Sequence, residues 1–456
     1  MHRESATDFS IAGKTDLELL FEFLRFRSVS TKPEEAPQMR KCAEWLSHLL
    51  ASNGFNAEIA ETGGHPAVLA RGPEAPGKPT VLVYGHYDVQ PEDPVGAWTS
   101  PPFEPAIRNR RVFARGATDN KGQILAHVLG AIHLLKEEGS LPVNLIFLIE
   151  GEEEVGSTNL DDFIRARRGE LRCDVVAISD TGMVAENYPT LTQSLRGIAA
   201  MEVILRGPTT DLHSGIFGGA VVNPAAALVG MLARLHDHHG RVAVPGFYDN
   251  VVPPDPAERA AVAKLPMTDD DYLRETGAPA LGGEEGYTAA ERIGLRPTAE
   301  INGLTSGYQG AGTKTVLPAV ASTKLTFRLV PNQKPDRILN LVEIFLQNLL
   351  PRGVEMEVIR GHGGMPYAVN LHNPWCAAAL RALETTFGRE PALVREGGSI
   401  PIVQSFHELL GCDALLLGLA APDCRAHAPD ENFPIESFEA GIRLHQNLLR
   451  ELAAGA

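Results

Sequence analysis

With 456 residues, the chain is long enough for two or three domains at roughly 150 residues each. Its 44% apolar and 21% charged side chains are the balance of an ordinary globular enzyme. The formal charge of −16, from 57 acidic against 41 basic side chains, argues against nucleic acid or an anionic membrane as the main partner. The five cysteines, Cys42, Cys173, Cys376, Cys412 and Cys424, are scattered and never spaced C-x-x-C, which speaks against a disulfide framework and against a thiolate zinc site. The opening MHRESATDFS lacks the apolar core of a signal peptide, and no uninterrupted apolar run reaches membrane-spanning length. A cytoplasmic protein is the expectation.

In chain order, TDLELLFEFLRFRSVS and PQMRKCAEWLSHLLASNGF read as amphipathic helices, the second stopped at Asn53-Gly54. Short strands follow in NAEIAE and AVLARG, and PTVLVYGHYDV is the first strand apolar enough to be buried on both faces. The segment from Lys121 to Glu138 is a helix whose His127 and His133 sit among apolar neighbours, as structural histidines do. The strand VNLIFLIEG, a helix near TNLDDFIRARRG and the strand CDVVAISD complete an alternation that indicates a doubly wound, mostly parallel sheet. From Arg196 the pattern changes. A strand, a helix in NPAAALVGMLARLHDHH, a Pro-rich acidic stretch, the strand KLTFRLVP, a helix near PDRILNLVEIFLQNLL and the strand VEMEVIRG suggest a smaller inserted α+β layer. The cluster His236, His238 and His239 is expected to close the helix beside Gly240. The chain returns with a helix at NPWCAAALRALETTFG, the strand DALLLGLA and a closing helix at PIESFEAGIRLHQNLLREL. The expected architecture is α/β, a mixed, mostly parallel sheet domain over residues 1–192 and 366–456 with the insert at 193–365.

Polar residues that follow buried strands converge at the carboxyl edge of such a sheet. Here they are His86, Asp88, Asp119, the triplet Glu152, Glu153 and Glu154, and Asp180. Imidazole with carboxylate suits zinc, manganese or cobalt, whereas calcium wants oxygen alone. His86 and Asp88, two apart on a strand end, project to one side, so Asp88 can accept the second imidazole N–H of a metal-bound His86. An H-x-D pair alone is weak evidence, and Asp119 in GATDNKG could be a simple helix cap. The triplet is harder to explain without a cation, because three adjacent carboxylates repel one another.

GHYDVQP, GATDNKG, EEVGS, the Ser179-Asp180 pair, DLHSGIFGG, REGGSIP and CRAHAPDE together resemble the cytosolic non-specific dipeptidase and carnosine dipeptidase branch of the acetylornithine deacetylase, desuccinylase and carboxypeptidase G superfamily of metallopeptidases. The matches run in the family's order over almost the whole chain. The resemblance implies a two-metal centre, with zinc or alternatively manganese, in which His86 and Asp180 hold one ion, Glu154 and His427 the other, and Asp119 bridges both. Gly156-Ser157 sets the family's register, selecting Glu153 as general base and Glu154 as ligand. The insert becomes a lid and dimerisation domain, and His213 reaches the active site of a partner subunit to stabilise the oxyanion. Thr315, Arg328, Gly398 and Ser399 match the family's clamp for a substrate carboxylate. The implied reaction is hydrolysis of dipeptides or short peptides by a water shared between the metals. The alternatives are an N-acyl- or N-carbamoyl-amino-acid amidohydrolase with the same centre, and a non-catalytic scaffold, which would be expected to have lost a ligand or the base.

Overall fold

The computed structural model describes residue 11, residues 13–398 and residues 400–455. The chain divides into two compact units, one running up to Gln193 and resumed over Val369–Val394 and Ile402–Ala456, the other comprising Ser194–Ala368 and Arg395–Pro401. Among the described residues no helix is long and apolar enough to cross a membrane.

The first unit is built on a mixed sheet. Its centre is four parallel strands in the spatial order Asn144–Glu150, Thr80–His86, Val175–Gly182 and Asp413–Ala420. Antiparallel strands flank them, with Ala67–Arg71 and Asn56–Ala60 on one side and Thr190–Leu195 on the other. The central sequences TVLVYGH and NLIFLIE are buried on both faces, because helices cover the sheet above and below. Val81, Val83, Phe147 and Ile149 pack into one large core with the helices Lys121–Glu138 and Ile435–Ala454. On the opposite face the Tyr84 ring meets Phe406 edge-on at 5.2 Å, from the helix Pro401–Leu410. That helix was not foreseen from the sequence. The first helix, Asp16–Leu24, starts at a capping box between Thr15 and Glu18, and Gly54 follows the second with φ +93°.

His127 and His133 are structural, as their neighbours suggested. His127 lies 2.7 Å from Ser179 Oγ and 2.8 Å from Nδ1 of His445, and His133 lies 3.1 Å from Asp16.

The second unit holds a four-stranded antiparallel sheet in the order Thr298–Ser306, Val320–Leu329, Gly197–Arg206, Glu355–Gly364. Burial alternates strictly along Gly197–Arg206, so only one face is packed, under the helices Pro224–Leu232 and Pro335–Leu349. The helix Pro224–Leu232 ends well before the histidine cluster, correcting the expectation that His236, His238 and His239 close it. His239 instead lies 2.7 Å from Glu285 in the acidic stretch. That stretch folds into the short helices Pro256–Val262, Asp269–Thr276 and Ala289–Leu295, capped by Asp255, Thr268 and Thr288. Several of its acids have partners inside the unit, as in the Arg296–Glu284 and Arg259–Glu291 pairs.

Candidate metal centre

The parallel strands deliver polar residues to one edge of the first unit. His86 ends its strand, Asp180 sits near the end of the next, the turn Glu153–Val155 follows the strand Asn144–Glu150, and Asp119 precedes the helix Lys121–Glu138. His427 comes from the loop after Asp413–Ala420 with φ +61°, a backbone conformation uncommon outside glycine, and Arg425 and Asp430 share it. Three side-chain amide contacts from Asn432 to the carbonyls of Asp423, Cys424 and Asp430 hold that loop.

Two groups of donors result, His86 with Asp119 and Asp180, and Glu154 with His427 and again Asp119, the donor atoms of each lying within 4.8 Å of one another. The two oxygens of Asp119 face different histidines. Oδ1 lies 3.2 Å from His86 Nε2, and Oδ2 lies 2.8 Å from His427 Nε2. Asp180 Oδ2 is 3.7 Å and Glu153 Oε2 4.0 Å from His86 Nε2, while Glu154 Oε2 is 3.3 Å from His427.

Surrounding groups set these orientations. The His86 Nδ1 edge faces Asp88, 3.1 Å from its carbonyl and 3.3 Å from its carboxylate, which turns Nε2 toward the centre. The Asp88 carboxylate also accepts the backbone N–H groups of Glu153 and Glu154 at 3.3 and 3.1 Å, so one buried side chain fixes both the imidazole and the acidic turn. Asn120 donates to Asp180 at 2.8 Å, and Gln90 donates to Glu154 at 2.8 Å. Gly85 is needed for this approach, since a Cβ there would stand 2.8 Å from Asn120 Oδ1. Glu152 differs from its two neighbours, because its oxygens are taken by Asn159 Nδ2 at 3.0 and 3.1 Å.

The electrostatics are those of an anionic site short of positive charge. Burial pushes the Glu153, Glu154 and Asp180 carboxyls above their usual range, and repulsion from neighbouring carboxylates adds to it. Burial works the same way on Asp119, but His427 and His86 outweigh it and hold that group below the usual range. Burial pulls His86 down, yet Asp119, Asp180 and Asp88 hold it well above an ordinary imidazole. Hydrogen bonds to Asp119 and Glu154 push the half-exposed His427 up to about 10. Two buried atoms inside this group, His86 Nε2 and Glu154 Oε1, have no hydrogen-bond partner. Orphaned buried donor atoms among crowded carboxylates fit divalent cations, which would satisfy both atoms and neutralise the repulsion.

The other singled-out residues belong to the second unit. His213 is exposed at the end of the strand Leu212–His213, and its Nδ1 accepts the Gly215 N–H at 3.0 Å. Thr315 is exposed beside it, its carbonyl accepting the Ser214 N–H at 3.1 Å. Arg328, opposite Thr298 and Ile198, is half-buried, and burial lowers its pKa. Ser399 lies outside the described residues. Sequence reasoning missed Arg196, whose backbone N–H donates to the Gly398 carbonyl and whose Nε donates to the Gly397 carbonyl, both at 3.1 Å. Burial, and then the charge of Arg328, lower its pKa to about 10. No motif marked it; a basic residue ending the strand Thr190–Leu195 was the available signal.

The sequence matches the model of peptidase family M20/M25/M40 over residues 82–451. It is 32% identical to a Cys-Gly metallodipeptidase of Schizosaccharomyces pombe, covering 94% of this chain and 93% of that one. Among solved structures it is similar to an M20 family metallo-carboxypeptidase from Sulfolobus solfataricus, with TM-score 0.85, 32% identity, 97% of this chain and 100% of the other. It is also similar to human carnosine dipeptidase 1, with TM-score 0.82, 29% identity and 96% of each chain. The chain belongs to peptidase family M20/M25/M40.

Proposed function

We propose that the protein hydrolyses the peptide bond of dipeptides or short peptides at a centre holding two divalent ions, zinc or alternatively manganese. Metal-dependent dipeptide hydrolysis is supported by the metallodipeptidase relatives and by the donor cluster. The observation that carries the residue assignment is the pair of donor groups sharing Asp119, with Glu153 alongside. His86 and Asp180 would hold one ion, Glu154 and His427 the other, and Asp119 both. Such ions acidify a water and polarise a carbonyl. Glu153 takes the proton of the attacking water and delivers it to the leaving amine, a task suited to a carboxyl whose proton affinity is raised by burial. Asp88 keeps the His86 Nε2 edge turned to the centre.

Residues 193–365 are proposed as a lid and dimerisation insert, His213 of a second copy stabilising the oxyanion. A neutral or cationic donor there supplies what an anionic centre lacks. Arg328 and Thr315, with Gly398 and Ser399, form the proposed clamp for a free substrate carboxylate. Arg196 joins them, since its position against Arg328 and Gly398 adds a second cation.

The test is a substrate panel on metal-loaded protein. Ala-Ala, Cys-Gly and carnosine are expected to be cleaved, and N-acetyl and N-carbamoyl amino acids to resist. Turnover confined to the acylated or carbamoylated compounds would replace the peptidase reading with the amidohydrolase one. N-blocked longer peptides separate dipeptidase action from release of a carboxyl-terminal residue, the activity in the name of the Sulfolobus relative.

A further inference from the structure

Two of the five cysteines, far apart in the chain, meet in the first unit. Cys173 Sγ lies 3.3 Å from Cys412 Sγ across 239 positions of sequence. Neither takes part in the metal centre. Cys173 precedes the strand Val175–Gly182 and Cys412 precedes Asp413–Ala420, parallel neighbours whose register sets Asp413 opposite Val175. That register aligns Cys412 with Asp174, one residue from Cys173, and with strands about 4.8 Å apart the diagonal is roughly 6 Å, inside the range of Cα separations a disulfide spans.

The backbone on each side is held. The Asp174 N–H donates to the Thr80 carbonyl at 2.8 Å, its carboxylate accepts the Thr80 N–H at 2.7 Å, and Asn373 Nδ2 donates to the Asp413 carboxylate at 2.6 Å. The approach of the sulfurs is therefore imposed by the sheet. Cys173 is partly exposed and Cys412 is buried at 5% exposure, so one thiol can meet a solute and the other waits behind it.

We propose that Cys173 and Cys412 form a reversible dithiol–disulfide site whose oxidant is a small-molecule disulfide. The Cys173 thiolate attacks one sulfur of the solute disulfide, forming a mixed disulfide and releasing the first thiolate, which takes up the Cys173 proton. The Cys412 thiolate then attacks Cys173 Sγ, forms the Sγ–Sγ bond and displaces the second solute thiolate, which takes up the remaining proton. Two cysteine sulfurs are oxidised and the solute is reduced to two thiols. The contact between the two sulfurs, and then burial, raise the Cys173 thiol, while the same contact lowers Cys412, so the order of attack is set by access: Cys173 is the thiol that a solute reaches first. Cys42 and Cys376 are buried, so those two are poor competitors.

The closed loop is long and its crosslink ties two core strands together, so oxidation is expected to raise the Tm by a few degrees. Catalysis is expected to change little, because the cysteines lie at the opposite end of the strand from Asp180. The test uses full-length, metal-loaded protein, reduced, freed of reductant and exposed to oxidised glutathione. The expected result is an intact mass lower by two hydrogens, a digest linking Cys173 to Cys412, and three thiols still open to alkylation after unfolding. Dithiothreitol should reverse all three. Cys412→Ser should instead leave Cys173 trapped as a stable glutathione adduct. Five free thiols after oxidation, or the same stable adduct on the wild-type protein with Cys412 still reduced, would overturn the proposal.

Discussion

Two sets of carboxylates in the first unit lie side by side and are treated in opposite ways. Glu431 is fully buried, and its oxygens receive Arg115 Nη1 at 2.7 Å and the backbone N–H groups of Gly116, Thr118 and Asp119 at 3.0, 2.9 and 3.0 Å. Burial still raises its pKa, but four donors from the chain satisfy it. Asp119, Glu153, Glu154 and Asp180 are crowded around two histidines with orphaned atoms among them. The same residue types therefore serve two ends. Where the chain supplies the donors, a carboxylate is scaffolding, here bracing the loops that carry Asp119 and His427. Where it withholds them, the site is built for a cation from outside.

The sharpest way to break that contrast is Glu153→Gln, which leaves the donor groups intact and removes the proposed proton acceptor. Turnover is expected to fall by roughly 10²- to 10⁴-fold with bound metal unchanged by elemental analysis; a near-normal rate would discard the assignment of the base. Glu431→Ala strands the Arg115 guanidinium, 1% exposed, without its carboxylate. A loss of about 3–5 kcal/mol in unfolding free energy is expected, and denaturant melts would reveal it. Pairing Glu431→Gln with Arg115→Met should recover part of that loss.

His127 supplies a third case, a buried ring whose two nitrogens lie 2.8 Å from His445 Nδ1 and 2.7 Å from Ser179 Oγ. Burial lowers His127 to about 4, and burial, then the charge of His127, lower His445 well below an ordinary imidazole. Above pH 6.5 neither the folded nor the unfolded chain carries these protons, so no stability is lost there. As pH falls from about 6.5 towards 4, the unfolded chain binds protons that the fold refuses. Stability should drop by roughly 3 kcal/mol over that window for His127 and level off for that residue below it. A His127→Gln melt series across the same pH range should show a shallower slope.

Chelation comes next. Removing a divalent ion held at about a hundred times its Kd should cost about 3 kcal/mol, read as a lower Tm restored by zinc or manganese. The smallest effect is expected at Glu152, whose carboxylate already has Asn159 as its partner. Glu152→Gln should keep kcat/KM within about twofold of wild type, and a collapse comparable to that of Glu153→Gln would shift the register of the acidic turn.

Much of this was written in local patterns. Apolar runs bounded by turns announced the central strands, and acids following such runs announced where donors would gather. His427 was different, since its loop carries no periodic signal and only the order of motifs along the chain drew attention to it. The helix Pro401–Leu410 and the early end of Pro224–Leu232 went unread because tertiary packing, not propensity, decides where such short segments stop.

By itself, then, the sequence determined the strand-and-helix alternation, the kind of donor atoms available and the peptidase family, because these depend on residue type, spacing and order. Only the tertiary structure decided which atoms meet. It turned the two oxygens of Asp119 to different histidines, gave Asp88 the backbone of the acidic turn, and set Glu431 against Arg115 and Cys173 against Cys412. Those pairings join positions separated by tens to hundreds of residues, and their geometry follows from strand register and helix packing, which no local pattern encodes.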